Sequence, residues 1–206
     1  MIVTEIKDLT AKKVKVILED DYSFPLYKSE LKKLKIEQGI DLTDDALDHI
    51  KNDILYTTAL NRSLYLIKAK EYSKKEIAQK LGSGDYPEDI INSVIDELIK
   101  MRFIDDKRYT QEYIAYHTMN KSRQAITSAL MLKGIDKNTI DEAFDIYMDE
   151  NPDYEKKLCL DLLERKYLRQ KDDADYITVN KAKKYLAGRG FSFDAADCAT
   201  KEFFDI

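Results

Sequence analysis

The stretch Ile126-Thr127-Ser128-Ala129-Leu130-Met131-Leu132-Lys133-Gly134-Ile135-Asp136 decides how the chain is read. Ile126 and Leu130 stand four apart, which puts both on one face of a helix. Gly134 follows at the point where a helix ends most cheaply, because glycine takes a left-handed conformation without a steric penalty. Ile135 is apolar and placed to fix the entry of a second helix, and Asp136 can cap it. The spacing therefore predicts a helix–turn–helix step. The same step recurs twice. Ile77 and Leu81 lead to Asp85, Tyr86 and Pro87; Ala182 and Leu186 lead to Gly190, Phe191 and Ser192. A further small or apolar residue lies at the same distance beyond each leucine: Ile91, Ile140 and Ala196. In the first copy Gly84 stands one place early, beside Gly82, so a different loop geometry is expected there.

Working outward, each copy is preceded by another amphipathic segment, at residues 51–69, about 107–119 and about 153–169. Ser73-Lys74-Lys75-Glu76 reads as a capping box before the Ile77 helix. Three helices per unit and three units predict an all-α fold of tandem three-helix repeats, stacked into an elongated curved array. The expected divisions are an N-terminal extension at 1–50, then repeats at 51–106, 107–150 and 151–206.

The extension reads differently. Val14, Val16 and Leu18 alternate with Lys13, Lys15 and Ile17, the period of a half-buried strand. Phe24-Pro25-Leu26-Tyr27 can return as a second strand, at an edge because Pro25 has no N–H for the ladder. A small β-hairpin or three-stranded flap is expected. Ser29 is placed to cap a short helix that Gly39 would stop, and Thr43 to cap a long helical segment running to about Ala69.

Composition narrows the function. The 206 residues are 44% apolar and 35% charged, with only six Gly and three Pro, a balance that favours helices. The net charge of −5 speaks against a general phosphate-grasping surface. The acidic excess is concentrated in residues 1–50, with 8 Lys/Arg against 11 Asp/Glu, while residues 151–206 carry 11 of each. Cys159 and Cys198 fall at apolar helical positions and read as structural thiols. No apolar run approaches the roughly 18 residues of a bilayer span, and the first residues lack the core of a secretory signal, so a cytoplasmic, reduced setting is expected. His49 and His117 have no partner spacing for zinc or nucleophilic chemistry. Gly82-Ser83-Gly84 lacks the lysine of a phosphate loop. No catalytic set, metal or cofactor is expected.

Four stretches resemble the RecX family, over about residues 56–206. They are Lys70-Glu71-Tyr72-Ser73-Lys74-Lys75-Glu76-Ile77, Phe103-Ile104-Asp105-Asp106-Lys107-Arg108-Tyr109, the run from Lys121-Ser122 to Gly134-Ile135, and Leu186-Ala187-Gly188-Arg189-Gly190-Phe191-Ser192. Lys70 replaces the usual Arg, and Ser122 the usual Gly. The resemblance implies a non-enzymatic regulator of RecA in DNA repair, recombination and the SOS response. Such a protein would bind RecA and the RecA–single-stranded DNA filament, mainly inhibiting strand exchange and ATPase activity, as a monomer with at most weak direct DNA contact. The rival readings are a helical-repeat adaptor for another partner and a weak DNA-binding protein built from helix–turn–helix steps.

The candidate partner-binding residues are Lys70, Arg108, Lys121, Arg123, Lys133, Lys183, Lys184 and Arg189. A charge run is ordinarily a solvated face; here the alternative is contact with carboxylates or phosphates. Asp105-Asp106 reads as a cap between repeats. Tyr109, Tyr113 and Tyr116 share a helical face and are expected to pack in a core.

Overall fold

The period-two alternation becomes strand β2 (Lys13–Leu18), central in an antiparallel sheet between β1 (Val3–Asp8) and β3 (Ser23–Tyr27). Val14 faces Leu26 and Val16 faces Phe24, and all four side chains are buried. Pro25 lies on the β3 edge strand, opposite Lys15, where its missing N–H costs no ladder bond. This computed structural model describes residues 1–172 and 175–206, in two compact units, Met1–Asp105 and Asp106–Ile206.

In the first unit α1 (Lys28–Lys33) starts at Tyr27, not at a Ser29 cap, and stops well before Gly39. Lys35 takes the left-handed conformation (φ 52°), and Ile36 N–H reaches back to Leu31 C=O at 3.0 Å. Gly39 (φ 87°) serves another turn, in which its N–H pairs with Val3 C=O at 2.8 Å. Thr43 does cap the next segment, accepting from Ala46 N–H at 3.2 Å. That segment is continuous from α2 (Asp44–His49) through a π-helical turn (Ile50–Leu55) into α3 (Tyr56–Ala69). The wider turn has a packing cause. Ile50 and Leu55 are five apart, which an α-helix would splay to different faces, yet both are 1% exposed.

The first helix–turn–helix step follows as α4 (Lys74–Gly82) and α5 (Glu88–Lys100). Ser73 and Glu76 form the expected capping box. Val14, Val16, Phe24 and Leu26 of the sheet share one apolar core with Leu81, Val94, Ile95 and Leu98.

The second unit holds the other two copies. The first is α6 (Asp106–His117), α7 (Arg123–Leu132) and α8 (Lys137–Glu150). The second is α9 (Tyr154–Tyr167), a 3-10 turn at Leu168–Gln170, α10 (Tyr176–Ala187) and α11 (Phe193–Phe204). Each copy has its own apolar cluster, and Tyr154 at the start of α9 belongs to the earlier one, its ring edge-on to Tyr147 at 5.6 Å.

The three steps share one geometry. Ile77, Leu81, Ile126, Leu130, Ala182 and Leu186 are all fully buried. The left-handed residues are Asp85 (φ 62°), Gly134 (85°) and Gly190 (80°). The next N–H, from Tyr86, Ile135 or Phe191, bonds to the C=O of the repeat leucine at 3.4, 3.1 and 3.3 Å, the six-to-one closure that ends a helix. The first loop therefore matches the others, because Asp85 tolerates the left-handed region in place of glycine. Asp136 and Ser192 cap as expected, through Thr139 and Ala195 N–H, while Pro87 holds the N-cap position without a side-chain bond.

Two apolar assignments are corrected. Cys159 is buried, and burial pushes its thiol up to about 12, but Cys198 is exposed. Tyr109 is buried and Tyr113 half-buried, whereas Tyr116 is 70% exposed: the turn from 113 to 116 carries it off the core stripe.

Candidate functional site

The residues predicted to meet a partner fall into two physical classes. Arg123 and Lys183 are partly buried and paired with carboxylates of their own repeat. Arg123 Nη2 lies 3.3 Å from Asp141 and its guanidinium 4.9 Å over the Phe144 ring, while its N–H donates to Glu155 at 2.8 Å. Lys137, and after it Arg123, hold the Asp141 carboxyl below the usual carboxylate range. Lys183 ties α10 to α11 through Asp197 at 2.5 Å, and Lys201 adds a second contact to that carboxyl at 2.8 Å.

The others project. Lys184 and Arg189 are exposed on the last repeat, and Arg189 covers the Tyr185 ring at 4.9 Å. Lys133 lies 5.7 and 5.8 Å from the rings of Tyr109 and Tyr113. Lys121 and Lys133 come together beside His117, whose ring lies 4.1 Å from that of Tyr113 at a tilt of 53°; burial and then these two charges push the imidazole below its ordinary value. Arg108 is exposed on α6, 3.9 Å from Glu112. Lys70 belongs to the other unit and lies 4.4 Å over Tyr72. Asp105 stands immediately before α6 and Asp106 opens it, with the Asp106 C=O accepting from Thr110 Oγ1 at 2.6 Å.

Lys133 and Arg189 hold one register position, the residue before the turn glycine. A cation there faces the carbonyl end of its helix and the π-face of a tyrosine, both of which favour positive charge. In the first repeat this position is Gly84. Arg62 of α3 supplies the cation instead, its Nη1 3.3 Å from where a Gly84 Cβ would stand. Its charge opposes the burial that pushes the Tyr86 hydroxyl up. Each repeat thus has a cation near a tyrosine at the end of its second helix.

Sequence reading missed Arg62 and Lys166, whose Nζ is 3.7 Å over Tyr185. The four-residue spacing of Tyr185 and Arg189 was a local signal; nothing local announces a cation arriving from the first helix of a repeat. Ser122, where glycine was expected, is 1% exposed. Its hydroxyl accepts from Ala125 N–H at 3.3 Å and donates to Arg189 C=O at 2.9 Å, joining the start of α7 to the α10–α11 turn.

A cleft of about 340 Å³ beside this joint is lined by Arg123, Gln124, Thr127, Lys137, Glu155 and Phe191. Both of its cations already engage Asp141. Among the described residues no group of His, Cys, Asp and Glu is arranged to hold a metal ion, and no helix is long and apolar enough to cross a membrane.

Comparison with known proteins matches this arrangement repeat by repeat. Residues 59–98, 105–143 and 153–199 match the family models described as the first, second and third three-helix domains of RecX. The chain is 32% identical over 210 residues to Regulatory protein RecX of Clostridium acetobutylicum, covering 98% of this chain and 96% of that one. To the protein of the same name from Finegoldia magna it is 28% identical, covering 95% and 97%. The crystal structure of RecX from Lactobacillus salivarius superposes with a TM-score of 0.67 at 29% identity, over 74% of this chain and 98% of that one. A crystal structure of regulatory protein RecX superposes at 0.65 with 21% identity, over 99% and 98%, a likeness of fold. Three modules in order, each with its own family match, and a relative aligned along nearly its whole length make this chain a member of the RecX family of regulatory proteins.

Proposed function

We propose that the chain is a non-enzymatic cytoplasmic regulator that binds RecA and the RecA–single-stranded DNA filament and chiefly inhibits its strand exchange and ATPase activity. The observation that carries this reading is the cation set against tyrosine at the same place in successive repeats. A repeating protein surface suits a repeating partner, since several modest contacts on one chain add through effective concentration. Lys121, Lys133, Lys184 and Arg189, with Arg108 and Lys70, are the proposed contact residues; Arg123 and Lys183 hold the modules that present them. Direct DNA contact is a weak accessory in this reading, because the overall charge is −5.

Sedimentation tests it. The purified chain should pellet with RecA filaments on single-stranded DNA and remain in the supernatant with the DNA alone at physiological salt. A chain that stays free of the filament, or that leaves RecA ATPase unchanged at saturating concentration, would overturn the proposal. Pelleting with naked DNA would favour the DNA-binding alternative.

A further inference from the structure

The turn between the second and third helices of a repeat has an outer side, and in the second unit that side is occupied. A Cβ on Gly190 would lie 3.0 Å from Ser122 Oγ and 3.1 Å from Gln124 Oε1, so the start of α7 sits directly on the α10–α11 turn of the next repeat. Ser122 Oγ–H donates to Arg189 C=O at 2.9 Å across the same joint.

In the first unit the corresponding turn meets the β-sheet. Lys15 Nζ of β2 lies 2.7 Å from Asp85 Oδ1, and both side chains are about one-third exposed or less. A second contact lies in the first turn of α5. Tyr22 O–H donates to the Asp89 carboxylate at 3.0 Å, and Lys51 Nζ is 3.3 Å from Asp89 and 4.1 Å over the Tyr22 ring. Below these polar contacts the sheet and the α4–α5 step share an apolar core.

Asp85 itself is informative. Its two counterparts are glycines, and at φ 62° glycine would suit the backbone better. Aspartate tolerates that conformation at a higher cost than glycine, and here its carboxylate reaches Lys15 of the sheet. We propose that the three-stranded sheet is the upstream cap of the helical repeats. It takes on the α4–α5 turn the place that one repeat takes on the next, and Asp85 with Lys15 is the latch that seats it. Sheet and turn then open as one event, and the α4–α5 turn stays covered by the sheet.

Hydrogen–deuterium exchange on the full chain tests the latch, with Lys15→Met, Lys15→Arg, Asp85→Asn, Asp85→Gly and the Lys15→Met/Asp85→Asn double variant. For Lys15→Met and Asp85→Asn, segments 13–27 and 83–91 should exchange faster together, by roughly three- to tenfold, with α6 to α11 unchanged. Asp85→Gly should loosen the sheet in the same way although it relieves the turn. Lys15→Arg should retain wild-type protection, and the double variant should add nothing to the single ones. Unchanged protection in segment 13–27 for Asp85→Asn would overturn the proposal. So would loosening confined to one segment, equal effects of Lys15→Arg and Lys15→Met, or additive effects in the double variant.

Discussion

At the scale of the residue, left-handed backbone positions separate strain with a tertiary contact from strain without one. Arg102 (φ 60°) ends α5, its N–H bonded to Ile99 C=O at 2.9 Å and the following Phe103 N–H to Leu98 C=O at 2.9 Å. Its side chain is exposed, so Arg102→Gly should raise stability by about 1 kcal/mol, less the extra freedom glycine gives the unfolded chain. Chemical denaturation would measure the gain, and a loss would show that the guanidinium contributes a contact. His117 supplies a second test. Its folded value is depressed by burial and by Lys121 and Lys133, so the unfolded chain binds the proton more readily. The associated stability is present above the unfolded value of about 6.5 and is lost as pH falls through it. Between pH 7.5 and 5.5 the wild type should therefore lose more stability than His117→Gln; parallel curves would refute the assignment. These residue effects were only partly readable. Asp85 aligned with two glycines in the sequence, but its reach to Lys15 spans seventy positions and belongs to the fold.

At the scale of the element, caps decide where helices begin, and their worth depends on what else the cap touches. Ser122 both caps α7 and donates to the α10–α11 turn from a buried position. Ser122→Ala should cost about 1–2 kcal/mol, because it also leaves the Arg189 carbonyl short of a donor. Ser122→Gly should recover part of the cap loss but none of the joint. Urea unfolding of both variants would separate the two contributions, and equal costs near zero would show that the hydroxyl does neither job. Element legibility followed the same logic. The Ser73–Glu76 capping box and the repeat leucines were local and periodic, so they could be read directly. Ser29 misled because a competent cap residue one place inside a helix looks the same in sequence as one at its start. The π turn was hidden because a shift from 3.6 to a wider period appears only when Ile50 and Leu55 must face one core.

At the scale of the whole molecule, the repeat joins local chemistry to regulation. Lys184→Glu with Arg189→Glu reverses two exposed charges on the last repeat, neither of which anchors a helix pair. Filament pelleting by this variant should weaken roughly tenfold with a shallower salt dependence, while its thermal unfolding stays close to wild type. Lys183→Glu should act differently, lowering stability by separating α10 from α11 at Asp197. Equal filament binding by wild type and the double reversal would move the contact surface elsewhere. By itself the sequence determined the helical class, the threefold step, the edge strand with Pro25 and the register that equates Lys133 with Arg189. It could do so because hydrophobic period, glycine and capping chemistry act within about ten residues along the chain. Only the tertiary structure decided that the sheet shares the core of the first repeat, that Arg62 fills the place of a missing turn cation, and that Arg123 and Lys183 pair with Asp141 and Asp197 while Lys184 and Arg189 stay exposed. Those outcomes depend on which helix faces meet, and side-chain packing between distant segments leaves no periodic trace in a single sequence.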